Sequence, residues 1–236
     1  MNEMHTLLTD GLTALSLPPE AADKLARYAA LLLEQNKVMN LTAITDPTEV
    51  AQKHMLDCAA LLGTGLLDGR KKLIDVGTGA GFPGVVLGVC QPELDITLLD
   101  SLKKRLDWLD TVGAALAVPL NTVHARAEEL GRAPEYREQF DVATARAVAD
   151  LRLLSELCLP FVKVGGVFLA MKAENSQEEV DAAARAIQLL GGRLKPTYSY
   201  TIPGTELNRR VIVIEKVAPT PEKYPRRFAK IQKQPL

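Results

Sequence analysis

Apolar positions along this chain change their period near residue 70. Before that point they recur at helical spacing, with one amphipathic run over Leu25–Leu33 and another over Glu49–Leu62. Asp46-Pro47-Thr48-Glu49 predicts a helix start, with Asp46 as N-cap, Pro47 at the first helical position and Glu49 able to reach back. Gly63, Gly65 and Gly69 then break the helical pattern. From Lys71 onward short apolar runs alternate with helical stretches, which predicts parallel α/β winding. Strands are expected at Leu73–Val76, Ile96–Leu99, Asn121–His124, Asp141–Ala145, Val167–Met171, near Ser199–Ile202 and at Val211–Ile214. Helices are expected at Val85–Cys90, Lys103–Leu116, Leu151–Leu159 and Glu178–Leu190. The fold class is α/β: a Rossmann-like, seven-stranded, mostly parallel sheet with an N-terminal helical extension. Residues 1–68 form that extension, 69–217 the sheet domain and 218–236 a tail. The tail carries Pro219, Pro221, Pro225 and Pro235 among lysines and arginines, and reads as an extended basic arm.

Composition narrows the class. The chain has 236 residues, of which 47% are hydrophobic, enough for one full-sized domain with an appendage. A formal net charge of −1 means that any nucleic-acid partner must be held by local basic patches. Cys58, Cys90 and Cys158 are odd in number and set in apolar helical patterns, so they read as small buried hydrophobes in a reducing compartment. No metal site is expected. No apolar run approaches the ~18 residues of a membrane span, and the N-terminus lacks the apolar core of a signal peptide. The expectation is a cytoplasmic monomer with no membrane partner.

The candidate chemistry lies at residues 73–84, where an apolar strand ends in Asp75 and a loop carries Gly77, Gly79, Gly81 and Gly84. Glycines at this density let a backbone turn sharply and approach a ligand closely. The helix that follows presents its N-terminus to whatever the loop holds. Spacing alone leaves two readings open. Gly79-x-Gly81-x-x-Gly84 satisfies a dinucleotide fingerprint, whereas Gly77-x-Gly79-x-Gly81 behind Asp75 satisfies the looser S-adenosylmethionine pattern. Asp100, at the end of the second strand, suits a ribose, or else the start of the helix at Lys103.

Val76 to Gly84, followed by Thr97-Leu98-Leu99-Asp100-Ser101-x-x-Lys104-Arg105, resembles the RsmG (GidB) family of bacterial ribosomal RNA methyltransferases. The likeness continues through Asn40-Leu41-Thr42, His54-x-x-Asp57, Ala125 to Glu129, Phe140 to Ala147, Ala170-Met171-Lys172 and Tyr224-Pro225-Arg226-Arg227. Gln35, Cys58 and Ala173 depart from the family pattern, which usually has an aromatic, a serine and a glycine there. The resemblance implies methyl transfer from S-adenosyl-L-methionine to guanine N7 in the 530 loop of 16S rRNA, on naked rRNA or on the 30S subunit. It also implies that Asp75, Gly77, Gly79, Gly81, Phe82, Asp100, Ala127, Glu128 and Arg146 hold the cofactor, Arg146 standing beside the methyl donor.

Guanine N7 offers a free lone pair at neutral pH, so the reaction needs alignment more than a general base. A guanidinium at Arg146 can hold a carboxylate, a phosphate or the guanine edge, or else form a structural ion pair with Asp141 or Asp150. Asn40, His54, Lys103, Arg105, Arg126, Lys172, Arg226 and Arg227 are candidates for holding RNA. Phe82 and Tyr136 are the nearest aromatic platforms for a base turned outward. His54 and Asp57, three residues apart, could orient each other. Two other functions compete: an NAD(P)-dependent oxidoreductase on the alternative glycine spacing, and an RNA-binding ribosome assembly factor without turnover.

Overall fold

A computed structural model describes residues 3–69, 71–146 and 149–236. Ala147, the last residue of the motif over 140–147, lies outside the described residues. The N-terminal part consists of α1 (Glu3–Ala14), α2 (Ala21–Met39) and a helical rod over 47–64. That rod opens as α3 (Pro47–Val50), widens into a π-helix at Ala51–Leu56, continues as α4 (Asp57–Ala59) and tightens to 3₁₀ turns at Ala60–Thr64. Asp46 and Pro47 open the helix as expected, Asp46 accepting from the Glu49 amide at 2.9 Å, but the Glu49 carboxylate pairs forward with Lys53 at 2.6 Å rather than reaching back.

The alternating part runs β1 (Lys72–Val76), α5 (Gly84–Cys90), β2 (Asp95–Asp100), α6 (Lys103–Leu116), β3 (Asn121–His124), α7 (Ala127–Leu130) and β4 (Phe140–Arg146). It continues with α8 (Leu151–Cys158), β5 (Val162–Ala173), α9 (Gln177–Leu189), β6 (Gly192–Leu194), β7 (Tyr198–Thr201), β8 (Asn208–Lys216) and α10 (Phe228–Lys233). The strands form one sheet in the order β3-β2-β1-β4-β5-β8-β6, with β7 also on β8. β1 to β5 are parallel, and β8 returns antiparallel beside β5.

Among the described residues the sheet has eight strands rather than the expected seven. The outer edge of β8 is covered by two short pieces, Leu194 opposite Ile214 and Tyr198 opposite Val211. Pro196 falls between them and has no amide to give the ladder, which divides the edge in two.

Consecutive residues of the central strands face opposite sides, so the sheet separates two cores. Leu73 and Leu98 join the first with Leu8, Leu12, Leu25 and Tyr28 of the N-terminal helices. Ile74 and Leu99 join the second with Phe140, Phe161 and Phe168. The N-terminal helices thus cover one face of the sheet rather than standing apart from it. The three cysteines are free and buried. Among the described residues no helix is long and apolar enough to cross a membrane.

The tail differs from the extended arm read from its prolines. Tyr224 and Ile231 are buried in the second core, and 228–233 forms a helix. Two arginines grip its backbone: Arg132 donates to the carbonyls of Lys223 and Pro225, and Arg137 to those of Thr220 and Tyr224. Lys216 is fully buried and spends its three ammonium donors on Glu138 and the carbonyls of Leu159 and Val162. Glu138 in turn accepts from the Thr220 amide at 2.7 Å. Arg226 meets the fully buried Glu156 through Nε at 2.8 Å and Nη2 at 2.6 Å. Its Nε and Nη2 are therefore committed to holding the tail against the fold, a role its sequence position did not suggest.

Removing one member of a buried, doubly hydrogen-bonded ion pair strands the other. Arg226→Ala is expected to lower unfolding stability by about 3 kcal/mol, measured with denaturant. A loss below about 1 kcal/mol, the range of exposed pairs, would show that the tail is not docked in this way.

Candidate active site

The loop after β1 is built by backbone exchange with β2. The amides of Gly77 and Thr78 both donate to the Leu99 carbonyl, at 2.9 and 3.0 Å. The Gly79 amide donates to Asp100 Oδ2 at 2.9 Å, and Asp100 Oδ1 accepts from the Leu102 amide at 2.9 Å. Asp100 thus ties the loop to the entry of α6 while standing in the wall of a cavity of about 430 Å³. Gly77, Thr78, Gly79, Phe82 and Arg105 line the same cavity.

The glycines divide by role. A Cβ at Gly79 (φ +59) would meet nothing nearer than the Gly77 carbonyl at 3.9 Å, so this backbone is bare toward the cavity. A Cβ at Gly81 (φ +90) would strike Tyr28 Oη at 2.5 Å and Leu109 at 2.7 Å. Gly81 therefore admits the Tyr28 ring, whose hydroxyl donates to the Ala80 carbonyl, and it does not line the cavity. That corrects its expected place among the ligand contacts. A Cβ at Gly84 would press on Leu98 and Asp75, so that residue too serves packing.

Asp75 lies beneath the loop, fully buried, with Oδ2 accepting from Thr78 Oγ1 at 2.6 Å and the Gly84 amide at 2.9 Å. Its Oδ1 has no hydrogen-bond partner among the described residues. Burial pushes its carboxyl up to about 6, against the hydrogen bonds from Thr78 and Gly84.

Arg146, at the carboxyl end of β4, is gripped by the π-helical turn. Nη1 donates to the Lys53 carbonyl at 3.0 Å and to Asp57 Oδ2 at 3.3 Å, and Nη2 donates to His54 Nδ1 at 2.9 Å. Its ion-pair partner is thus Asp57. The two acids that sequence offered are engaged elsewhere, Asp141 with Lys163 at 2.5 Å and Asp150 with Arg152 at 3.0 Å. Asp57 is further held by Tyr200 Oη at 2.7 Å. His54 and Asp57 do not orient each other, as their spacing suggested; each holds Arg146. The guanidinium also lies 4.8 Å from the Phe82 ring centroid, and His54 stacks on the same Phe82 ring at 4.7 Å between centroids.

His54 Nδ1 lies 2.9 Å from Arg146 Nη2, which can only donate, and 3.1 Å from the Lys53 carbonyl, which can only accept; the shorter, charge-assisted contact makes Nδ1 the bare nitrogen. The ring is then the neutral Nε2–H tautomer, donating to Thr42 Oγ1 at 2.8 Å. Burial and the adjacent Arg146 charge push its pKa down to about 4, in agreement. Asn40 turns the chain out of α2 in a left-handed conformation (φ 49) and is exposed, so it is Thr42 that reaches the cavity wall.

Two further cavities adjoin the first. A slot of about 170 Å³ shares Gly77, Asp100 and Ser101 with it and continues past Ala125, Ala127 and Glu128 to Phe228. Glu128 is buried there and pairs with Arg126 Nε at 2.7 Å. A second cavity of about 390 Å³ shares His54 and Arg146 and adds Lys53, Lys172 and Arg209. Lys172 is anchored to Glu179 at 2.5 Å and to the Ala149 carbonyl at 2.9 Å.

The remaining RNA candidates lie at the rim or beyond it. Arg105 is partly exposed and reaches Asp100 at 3.4 Å, Lys103 is exposed and pairs with Asp107, and Arg227 is exposed. Tyr136 packs on Phe140 and lines none of these three cavities. Thr42 stands at the site, as one of the two roles its sequence position allowed, while Ser101, Tyr200 and Phe228 join it without having been candidates. Thr42 and Ser101 sit inside quoted motifs, but nothing in the local pattern points to Tyr200 or Phe228. A larger cavity of about 640 Å³ between α1 and Pro203–Gly204 holds Glu3 and Asp10 and no basic residue, so it does not suit an anionic partner.

A mixed sheet in this order, parallel from β1 to β5, with a bare glycine loop at the carboxyl end of its first strand and an acid ending the second, is that of a Rossmann-like methyltransferase. The solved structure of TrmN from Thermus thermophilus shares the fold, with a TM-score of 0.52 over 68% of this chain and 48% of that one at 19% identity. Residues 21–208 match the family described as rRNA small subunit methyltransferase G (GidB), and the chain belongs to that family. It is 46% identical to the ribosomal RNA small subunit methyltransferase G of Acetivibrio thermocellus, over 99% of this chain and 97% of that protein. It is 45% identical to the protein of the same name from Symbiobacterium thermophilum, over 98% and 97%.

Two stability experiments check this geometry. Gly81→Ala is expected to cost about 2–4 kcal/mol, because the new methyl meets a packed ring at positive φ. Gly79→Ala, facing open space, should cost only about 1–2 kcal/mol, and equal losses would erase the division of roles. For His54, the folded ring binds a proton more weakly than the unfolded one, whose pKa is 6.5. Acidification from pH 6.5 toward about 4 therefore favours unfolding through this group. The stability advantage of wild type over His54→Gln is expected to shrink across that window, and an advantage that grows would reverse the assignment.

Proposed function

We propose that this protein transfers a methyl group from S-adenosyl-L-methionine to guanine N7 in the 530 loop of 16S rRNA, on naked rRNA or within the 30S subunit. The observation that carries the reading is that two cavities meet at one guanidinium: the glycine-loop cavity and the basic cavity share Arg146 and His54 as a common wall.

The residues suit the cofactor. The bare backbone at Gly79 accepts close approach, Gly77 lines the same cavity, and Asp100 stands where a ribose would be held. The slot past Ala127 has the mixed apolar and charged walls an adenine needs, and Asp75 Oδ1, without a partner among the described residues, leaves a buried acceptor beneath the loop. When bound, the cofactor supplies an electrophilic methyl group on a sulfonium.

The chain's part is alignment. Arg146 is fixed by three acceptors on the π-helical turn, so its remaining donors keep one direction at the junction of the cavities. Neutral His54 keeps its proton on Nε2, facing Thr42, and so offers no free lone pair there to act as a base. This accords with a nucleophile that has no proton to lose. The basic cavity, with Lys53, Lys172 and Arg209 around Arg146, suits a base entering with its phosphate. The oxidoreductase alternative finds no support, since the matched family is one of methyltransferases.

The test is incorporation of labelled methyl into 16S rRNA or 30S particles, with the modified base mapped. One N7-methylguanosine is expected with the wild-type protein, and none on either substrate would overturn the reading. Arg146→Ala is expected to lose at least about 100-fold in kcat/KM. Arg146→Lys should not restore it, because an ammonium cannot span the same three acceptors.

A further inference from the structure

We infer that the C-terminal segment is part of the cofactor site, with Phe228 of α10 closing the adenine end of the cleft. The inference rests on S-adenosylmethionine binding as proposed above. It assigns a ligand role to a segment that lies outside the residues 21–208 matched by the family.

Phe228 lines the slot of about 170 Å³ together with Leu157, Ala125 and Ala127, opposite the strand ends at Val76 and Leu99. It also lines an outer cavity of about 620 Å³ with Arg126, Arg132 and Arg227. With Arg126 and Glu128, the ring forms the wall common to the inner slot and the outer cavity, and it is the apolar member of that wall.

The ring is held from both sides. Arg126 lies over one face, 4.9 Å from the centroid, and is itself anchored by Glu128. Behind it, α10 is docked by buried Ile231 and preceded by the Arg226–Glu156 pair. A planar apolar wall beside a narrow slot, fixed by a cation over one face, suits a flat heteroaromatic ring; base–aromatic contacts of this kind are worth about 1–3 kcal/mol. A solvated basic arm would need none of these anchors.

The experiment uses the full chain and S-adenosylhomocysteine, with calorimetric Kd, and KM and kcat for the methyl donor. Phe228→Ala is expected to raise Kd about tenfold, and KM with it, while kcat at saturating cofactor stays within about twofold. Phe228→Tyr should bind within about twofold of wild type. Phe228→Leu keeps the apolar contact with α8 but not the planar face, so it should hold the wild-type Tm and still lose about fivefold in Kd. This last variant keeps the test open if the alanine protein does not fold. Unchanged Kd for the alanine and leucine proteins would overturn the inference while wild-type binding stands. No binding by the wild-type protein would instead overturn the cofactor reading beneath it.

Discussion

The guanidinium of Arg146 joins two parts of the chain that have separate structural logic. It leaves the end of a parallel strand and is received by a carbonyl, a carboxylate and a ring nitrogen from one turn of the N-terminal rod. An ordinary α-helix directs successive carbonyls along its own axis, to its own amides. The π-helix at Ala51–Leu56 loosens that pairing, and the Lys53 carbonyl is spent on Arg146. Helical cover and sheet are thereby locked in register at the point where chemistry is expected.

The surrounding polar groups form a closed account of donors and acceptors. Tyr200 from the sheet edge serves Asp57, Asp57 serves Arg146, and His54 passes the connection to Thr42. Burial raises the Asp57 pKa and Arg146 opposes it, so each charge is tolerable only because the other is present. The same economy is seen at Lys216 and Arg226, whose buried donors all have named acceptors. Removing any one partner leaves a polar group in the core, which is why these sites couple stability to geometry.

Much of this was legible in the sequence. The strand ends at Val76 and Asp100 follow from apolar runs buried on both faces, and α3 follows from Asp46 and Pro47. The cleft was legible because Gly77, Asp100 and Ala127 all sit at carboxyl ends of adjacent parallel strands. The partner of Arg146 was not, since Asp57 is 89 residues away and pairing across a fold has no local signature. Nor was the commitment of Arg226, because a run of prolines and basic residues looks alike whether it is solvated or held by a buried glutamate 70 residues back. The division between Gly79 and Gly81 likewise depends on which neighbour fills the space, Tyr28 or nothing.

The hold that Arg132 and Arg137 keep on residues 220–225 is made on main-chain carbonyls. Such a clasp recognises the course of the chain, not the identity of its side chains. Replacements at Glu222 or Lys223, which are exposed, leave every one of those acceptors where it is. Loss or gain of a single residue there would move all of them at once. Across diverging sequences this stretch should therefore drift freely in composition while its length stays fixed.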